Sequence, residues 1–166
     1  LDGIAISGGE PLLQGDIEEF LQKIKDLGYS IKLDTNGSFP EKLKSIIDKG
    51  LCDYVAMDIK NSKERYNETI GINRFDISLM EQSVEILMNS NVDYEFRTTI
   101  TKNFHTIEDI KKIGEWIKGT KKYYLQNFVD SGNLIDCNVE GVSKEEMQNM
   151  LEAIKEYVPT AEIRGL

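Results

Sequence analysis

Segments with strand patterns alternate with segments with helix patterns along this chain of 166 residues. Short apolar runs and period-two alternation predict strands near residues 3–7, 30–34, 53–57, 94–100, 121–126 and 161–163. Helical periodicity predicts helices at 17–27, 40–49, 63–70, 77–88, 107–117 and 144–157. Because such an order calls for parallel strands joined by crossovers, the predicted class is α/β, as a barrel or a doubly wound sheet.

Polar clusters stand where the first four predicted strands end. In both α/β architectures the ligand-binding residues gather at the carboxyl ends of the strands, on one rim. The clusters are Gly8-Gly9-Glu10, Asp34-Thr35-Asn36-Gly37, Met57-Asp58-Ile59-Lys60 and Arg97-Thr98-Thr99. Their positions predict a binding site on that rim.

Two glycines follow the first strand. Without a Cβ, Gly8 and Gly9 let a ligand approach the backbone, and Glu10 can accept a hydrogen bond from an ammonium or an amide. The alternative is that the glycine pair forms only a tight turn. The polar ends of the neighbouring strands favour a site for a small charged ligand.

Two aspartates end adjacent predicted strands. Like charges at short range raise a carboxyl pKa, so we expect a cation or Lys60 between Asp34 and Asp58. Together with the Thr35 hydroxyl and a backbone carbonyl near Met57, these oxygens suit a hard ion. The alternative is a helix-entry turn at Asp34 and a solvated Lys60.

Arg97 shares one face of the fourth strand with Glu95 and Thr99. If that face is buried, the guanidinium requires an anion, which could be a ligand carboxylate or Glu95. His105 is the only histidine and falls in a loop. A loop or cap role is predicted for it in preference to a catalytic one.

Composition narrows the classes of partner. The net charge is -9 and the 20 Lys and Arg residues are scattered, which argues against a nucleic-acid surface. No apolar run is long enough to cross a membrane and no signal-peptide pattern is present, so we expect a cytoplasmic protein. Cys52 and Cys137 are predicted to be ordinary reduced thiols, and residues 1–166 to form a single domain.

Taken together, the four clusters resemble the radical S-adenosylmethionine (SAM) superfamily, and more narrowly the activating enzymes of anaerobic ribonucleoside-triphosphate reductases. The resemblance implies a partial parallel (β/α) barrel that lacks its first β/α unit. It implies that Gly8, Gly9 and Glu10 serve the amino group of SAM. It also implies further cofactor contacts and a monovalent cation; the contacts are Asp34, Thr35, Asn36, Lys60 and Arg97, and the cation ligands are Asp34, Thr35, Met57 and Asp58.

The same resemblance implies a four-iron, four-sulfur cluster held by CxxxCxxC, a motif that this sequence lacks. We therefore expect a fragment without its cluster-binding segment, inactive alone. The implied reaction is reductive cleavage of SAM to generate a glycyl radical. The implied partners are the glycyl-radical reductase and a flavodoxin or ferredoxin electron donor.

Three alternatives stay open. Within the superfamily, the chain could belong to a pyruvate formate-lyase activase, another glycyl-radical activase or a radical enzyme acting on a small molecule. A phosphate-handling barrel enzyme could grip phosphate with Gly8, Gly9 and Lys60, and Ser131-Gly132 would support it. A barrel without a cluster could serve as a binding module.

Overall fold

The computed structural model describes residues 2–129 and 139–165, which hold six β-strands and six α-helices; one helix joins each strand to the next, except that two helices stand between the third and fourth strands. The strands β1 to β6 are Gly3–Ile6, Ser30–Thr35, Tyr54–Asp58, Asp93–Ile100, Tyr123–Asn127 and Glu162–Arg164. The helices α1 to α6 are Ile17–Asp26, Pro40–Asp48, Tyr66–Ile70, Ile77–Asn89, Ile107–Trp116 and Lys144–Lys155. The predicted alternation is confirmed.

The chain divides into two compact units. The first unit comprises Leu1–Ile59 and Asp76–Phe96, and the second comprises Lys60–Phe75 and Arg97–Leu166. Strand β4 contributes its first half to one unit and its second half to the other.

In the first unit the strands follow one another in chain order, with β1 parallel to β2 and β2 parallel to β3. Ile6 pairs with Leu33 and Thr35 pairs with Met57, so the carboxyl ends of the three strands form one edge. A fully buried apolar core lies under the sheet, built from Leu21, Leu33, Leu43, Ile46, Val55 and Met57. This register carries Gly8-Gly9-Glu10, the cluster that begins at Asp34, and Met57-Asp58 to the same edge.

In the second unit β5 runs parallel to β6, and α5 packs against α6. A Cβ on Gly114 of α5 would come within 2.7 Å of the Tyr157 ring, so this glycine permits the close approach of the segment that follows α6. Buried Tyr66 stacks on Phe75 and meets Trp116 edge to face, at ring-centroid distances of 5.8 and 6.4 Å. These rings anchor the segment between β3 and α4.

Local sequence signals set several of the helix boundaries. Thr106 and Ser143 form capping boxes with Asp109 and Glu146, and the second of these agrees with the predicted spacing. Asp16 occupies the N-cap position of α1 but its side chain makes no cap hydrogen bond there. Within the described ranges, no helix has both the length and the hydropathy needed to cross a bilayer.

The sequence patterns did not predict two short 3-10 helices as distinct elements. One covers Pro11–Leu13, and its first turn is capped by the Glu10 side chain. The other covers Lys63–Arg65 and leads directly into α3, so the single predicted helix at 63–70 has two parts. The first of these differences bears on the candidate site, because it gives Glu10 a local backbone partner.

Candidate functional site

The glycine pair after β1 adopts a backbone that other residues avoid. Gly8 and Gly9 have φ values of 96° and 52°, and both residues are exposed. A Cβ built on either would meet no atom within 4 Å, so the restriction comes from the backbone conformation and not from crowding. The strand therefore ends in an accessible stretch of peptide groups.

Glu10 ties this end of β1 to the end of β2. Its Oε1 accepts hydrogen bonds from the Thr35 hydroxyl at 2.8 Å and the Leu12 amide at 3.1 Å, and its Oε2 accepts one from the Asn36 amide at 2.6 Å. The side chain is 7% exposed, and burial of a carboxylate requires such donors. We call Glu10 and its three donors the Glu10 clamp.

The turn after β2 is built from side-chain bonds as well. The Asn36 side chain accepts from both the amide and the hydroxyl of Ser38, at 2.9 and 2.6 Å. Gly37 has a φ of 77°, and its carbonyl accepts from the buried Ser83 hydroxyl at 2.7 Å. A Cβ on Gly37 would come within 2.5 Å of the Met57 Cε. The turn is therefore held by the Asn36 side chain, by the Ser83 hydroxyl and by close packing against Met57.

The predicted cation ligands lie on two neighbouring strands of the first unit. Asp34 lies opposite Ala56 in the register, so Asp34 and Asp58 share one face at positions two residues apart. The lysine beside Asp34 is Lys32, with its Nζ 2.9 Å from Oδ1. Sequence reasoning did not consider Lys32, although period-two alternation puts it on the face of Asp34.

The Thr35 hydroxyl already donates to Glu10 and accepts from the Gly37 amide at 3.1 Å, while Met57 is fully buried. Among residues 2–129 and 139–165 no group of three or more His, Cys, Asp or Glu side chains could hold a metal ion. The predicted set contains only two carboxylates, so the monovalent cation stays a prediction.

Glu95 of β4, one of the two partners suggested for Arg97, is buried and accepts a hydrogen bond from the Tyr54 hydroxyl at 2.8 Å. Arg97 itself belongs to the second unit and is half-buried. Its contact with a cofactor stays a prediction.

Lys60 begins the second unit, and both of its backbone polar groups are held by side chains. Its amide donates to the Tyr66 hydroxyl at 3.3 Å, and its carbonyl lies 2.8 Å from His105 Nε2. The lysine residue is half-buried. We call residues 60–66 the Lys60 loop.

His105 is buried between two backbone groups that fix its tautomer. The Thr101 amide can only donate, and it lies 3.1 Å from Nδ1; the Lys60 carbonyl can only accept, and it faces Nε2. Nε2 therefore carries the hydrogen of a neutral ring. Burial lowers the pKa of His105 below its ordinary value of 6.5. This geometry agrees with the predicted loop role.

Cys52 is a buried free thiol, and burial raises its pKa to about 11. A thiol with such a pKa is protonated and unreactive at neutral pH, as expected for an ordinary core cysteine. Cys137 and Ser131-Gly132 lie outside the described residues.

Comparison with known proteins identifies the family of this chain. The model of the radical SAM superfamily matches residues 1–117. A Methanocaldococcus jannaschii protein named as a glycyl-radical enzyme activating enzyme is 31% identical over 99% of this chain and 71% of its own length. A 7-carboxy-7-deazaguanine synthase of the same organism is 28% identical, over 95% of this chain and 61% of its own length.

Among solved structures, a domain of a pyruvate-formate lyase-activating enzyme from Bacteroides vulgatus is similar to this chain. Its TM-score is 0.79 at 18% identity, with 98% of this chain and 99% of that chain covered. At this identity the likeness shows the fold, and it confirms the predicted α/β class with parallel strands of the partial-barrel type.

The match to the family model covers more than half of the chain, and a relative above 30% identity covers nearly all of it. Members of the family are enzymes that bind SAM and a four-iron, four-sulfur cluster, so the predicted enzyme class and these two cofactors are confirmed at the level of the family. The chain belongs to the radical SAM superfamily.

Proposed function

We propose that the protein carrying this chain is a radical SAM activating enzyme that generates a glycyl radical on an anaerobic ribonucleoside-triphosphate reductase. The observation that carries the proposal is the accessible backbone of Gly8 and Gly9, placed directly after a strand and braced by Glu10. The name of the Methanocaldococcus relative supports the activating-enzyme class. The motif resemblance described above supports the reductase as the target.

The chemistry of SAM fits this strand end. The methionyl part of SAM carries an ammonium group, which needs acceptors, and the peptide carbonyls of the exposed residues Gly8 and Gly9 can supply them. Both oxygens of Glu10 already accept hydrogen bonds within the protein. In our proposal the backbone therefore contacts the ammonium, while Glu10 holds the ends of β1 and β2 in position for it.

Asp34 and Lys32 form a salt bridge on the face of β2 opposite to Thr35. The contacts of Lys60 and Arg97 with the cofactor, and those of Asp34, Thr35 and Asn36, remain predictions from the resemblance.

When bound, the reduced cluster and SAM supply the radical chemistry, and the protein supplies orientation. A four-iron, four-sulfur cluster needs a set of thiolate ligands, whereas this chain has two cysteines, of which Cys52 is buried with a raised pKa. The cluster is therefore not assigned to any residue of this chain. A reduced flavodoxin or ferredoxin is the electron donor that we propose.

The proposal is tested with the natural gene product that contains this sequence, reconstituted anaerobically with iron and sulfide. Incubation with dithionite, SAM and a candidate anaerobic reductase should yield methionine, 5′-deoxyadenosine and a glycyl radical detected by electron paramagnetic resonance. Absence of both SAM cleavage and a glycyl radical would reject the proposal that the protein is a radical SAM enzyme. A radical formed on pyruvate formate-lyase and not on the reductase would reject the target.

A second candidate is a radical SAM enzyme that acts on a small molecule. The similarity to a 7-carboxy-7-deazaguanine synthase over 95% of this chain favours it. Its signature in the same assay is SAM cleavage that depends on an added small substrate, with no radical on either protein partner.

A further inference from the structure

We propose that His105 is a positioning residue for SAM binding, acting through the carbonyl of Lys60. This inference rests on the proposed function, in which the Lys60 side chain contacts the cofactor. His105 itself is not one of the predicted cofactor contacts. Its imidazole joins two backbone segments of the second unit, and of the two residues that it bonds only Lys60 is a predicted cofactor contact.

The two faces of the ring have different partners, which separates two roles. Nδ1 accepts from the Thr101 amide only four residues away, and this bond closes the turn after β4. Nε2 donates to the Lys60 carbonyl, 45 residues away in sequence. The first bond stabilises a local turn, whereas the second sets the backbone from which the Lys60 side chain projects.

The rest of the Lys60 loop is anchored without His105. The Asn61 side chain donates to the Phe104 carbonyl at 2.7 Å, and Arg65 donates to the same carbonyl at 2.9 Å and to the buried Asp109 carboxylate at 2.8 Å. The Ser62 hydroxyl donates to Asp109 at 3.2 Å. Loss of the imidazole therefore leaves this loop attached and frees, within it, only the carbonyl of Lys60.

A lysine side chain has four rotatable bonds, so the direction of its ammonium depends on a fixed backbone. Lys60 has that backbone because Tyr66 holds its amide and His105 holds its carbonyl. Pre-organisation of this kind lowers the cost of ordering a side chain when ligand binds. We therefore expect the Nε2 bond to contribute to SAM affinity more than to the stability of the fold.

The test uses a matched pair of substitutions in the reconstituted gene product, with the dissociation constant of SAM as the readout. His105→Gln can place an amide nitrogen near the position of Nε2 and keep the donor to Lys60. His105→Asn can keep the acceptor for Thr101 but is too short to reach Lys60. We expect His105→Asn to weaken SAM binding about tenfold and His105→Gln to restore most of it.

A double-mutant cycle then asks whether His105 acts through Lys60. Lys60→Ala should weaken binding by itself, and His105→Asn should add little in that background. Urea unfolding of each variant verifies that all are folded at the assay temperature. This pattern would support the inference, since a general structural defect would persist after Lys60 is truncated.

Other results have distinct meanings. If His105→Asn binds SAM like the wild type, or weakens it equally with and without the Lys60 side chain, the inference is wrong and the proposed function stands. If Lys60→Ala has no effect on wild-type affinity, Lys60 is not a cofactor contact and the inference is overturned with it. If the unmodified protein binds no SAM, the proposed function itself fails.

Discussion

In the Glu10 clamp of the first unit and in the Lys60 loop of the second, side-chain hydrogen bonds hold the backbone of a predicted site, but in different ways. In the clamp, a single carboxylate accepts all three hydrogen bonds: two join the ends of β1 and β2, and the third comes from the Leu12 amide nearby in sequence. The loop is held by several side chains. Asn61 and Arg65 of the loop donate to the Phe104 carbonyl, and His105 donates to the Lys60 carbonyl. The clamp therefore depends on one residue, whereas the loop has redundant anchors.

The contrast extends to what each region presents. Beside the clamp, the chain exposes the peptide groups of Gly8 and Gly9, whose positive φ values favour glycine. The loop presents a long charged side chain from a backbone held at both polar groups. The first region is thus suited to contacts that need close approach, and the second to a contact that needs reach.

The largest effect is expected at the clamp. Glu10→Ala would leave the Leu12 and Asn36 amides and the Thr35 hydroxyl without their acceptor, and loss of acceptors for buried donors should lower the free energy of unfolding by about 3 kcal/mol. Urea unfolding measures it. The control Glu19→Ala removes an exposed ion pair with Lys23 and should leave the midpoint nearly unchanged. Equal effects of the two substitutions would contradict the clamp.

A smaller effect is expected at the turn after β2. Gly37→Ala and Gly50→Ala both force alanine into a positive φ, at 77° and 66°. Only the Gly37 Cβ would collide with the buried Met57 side chain, whereas the Gly50 Cβ meets nothing within 4 Å. Gly37→Ala should therefore be the more destabilising by about 1–3 kcal/mol, measured by thermal or urea unfolding. Indistinguishable values would show that Met57 yields freely.

The smallest effect is the pH response of the loop. Burial lowers the pKa of His105 in the folded state, so the unfolded chain binds the proton more readily. The stabilisation from the neutral ring is complete above the ordinary value of 6.5 and is lost as the pH falls below it. The neighbouring Asp109 also has a lowered pKa and titrates below 3.8, and Arg65 stays charged throughout.

Unfolding of the wild type and of His105→Gln at about pH 7.5 and about pH 5 isolates this contribution. The wild type should lose more stability on acidification than the variant does. An identical loss in both would mean that protonation of His105 does not disturb the loop.

The sequence was most informative where the determining contacts are local. The capping box of Ser143 and Glu146 and the glycines after β1 were predicted because their neighbours lie within a few residues. The Glu10 bonds to Thr35 and Asn36 were not, since they depend on the register that pairs Ile6 with Leu33.

The same limit applies to the second unit. The bond between His105 and Lys60 spans 45 residues, and no spacing rule predicts it. The Lys32–Asp34 pair is an intermediate case. Strand periodicity places both side chains on one face, but Lys32 lies within the strand and outside the polar cluster at its end, so a cation or Lys60 was predicted beside Asp34.

The most direct test of the account is the affinity of SAM for Gly8→Ala in the reconstituted gene product, with Gly28→Ala as the matched control. Both glycines have positive φ values, 96° and 84°, and neither Cβ would meet an atom within 4 Å. The account predicts that Gly8→Ala weakens SAM binding by about tenfold or more while Gly28→Ala binds like the wild type. Equal affinity in the two variants would contradict a SAM site at the end of β1.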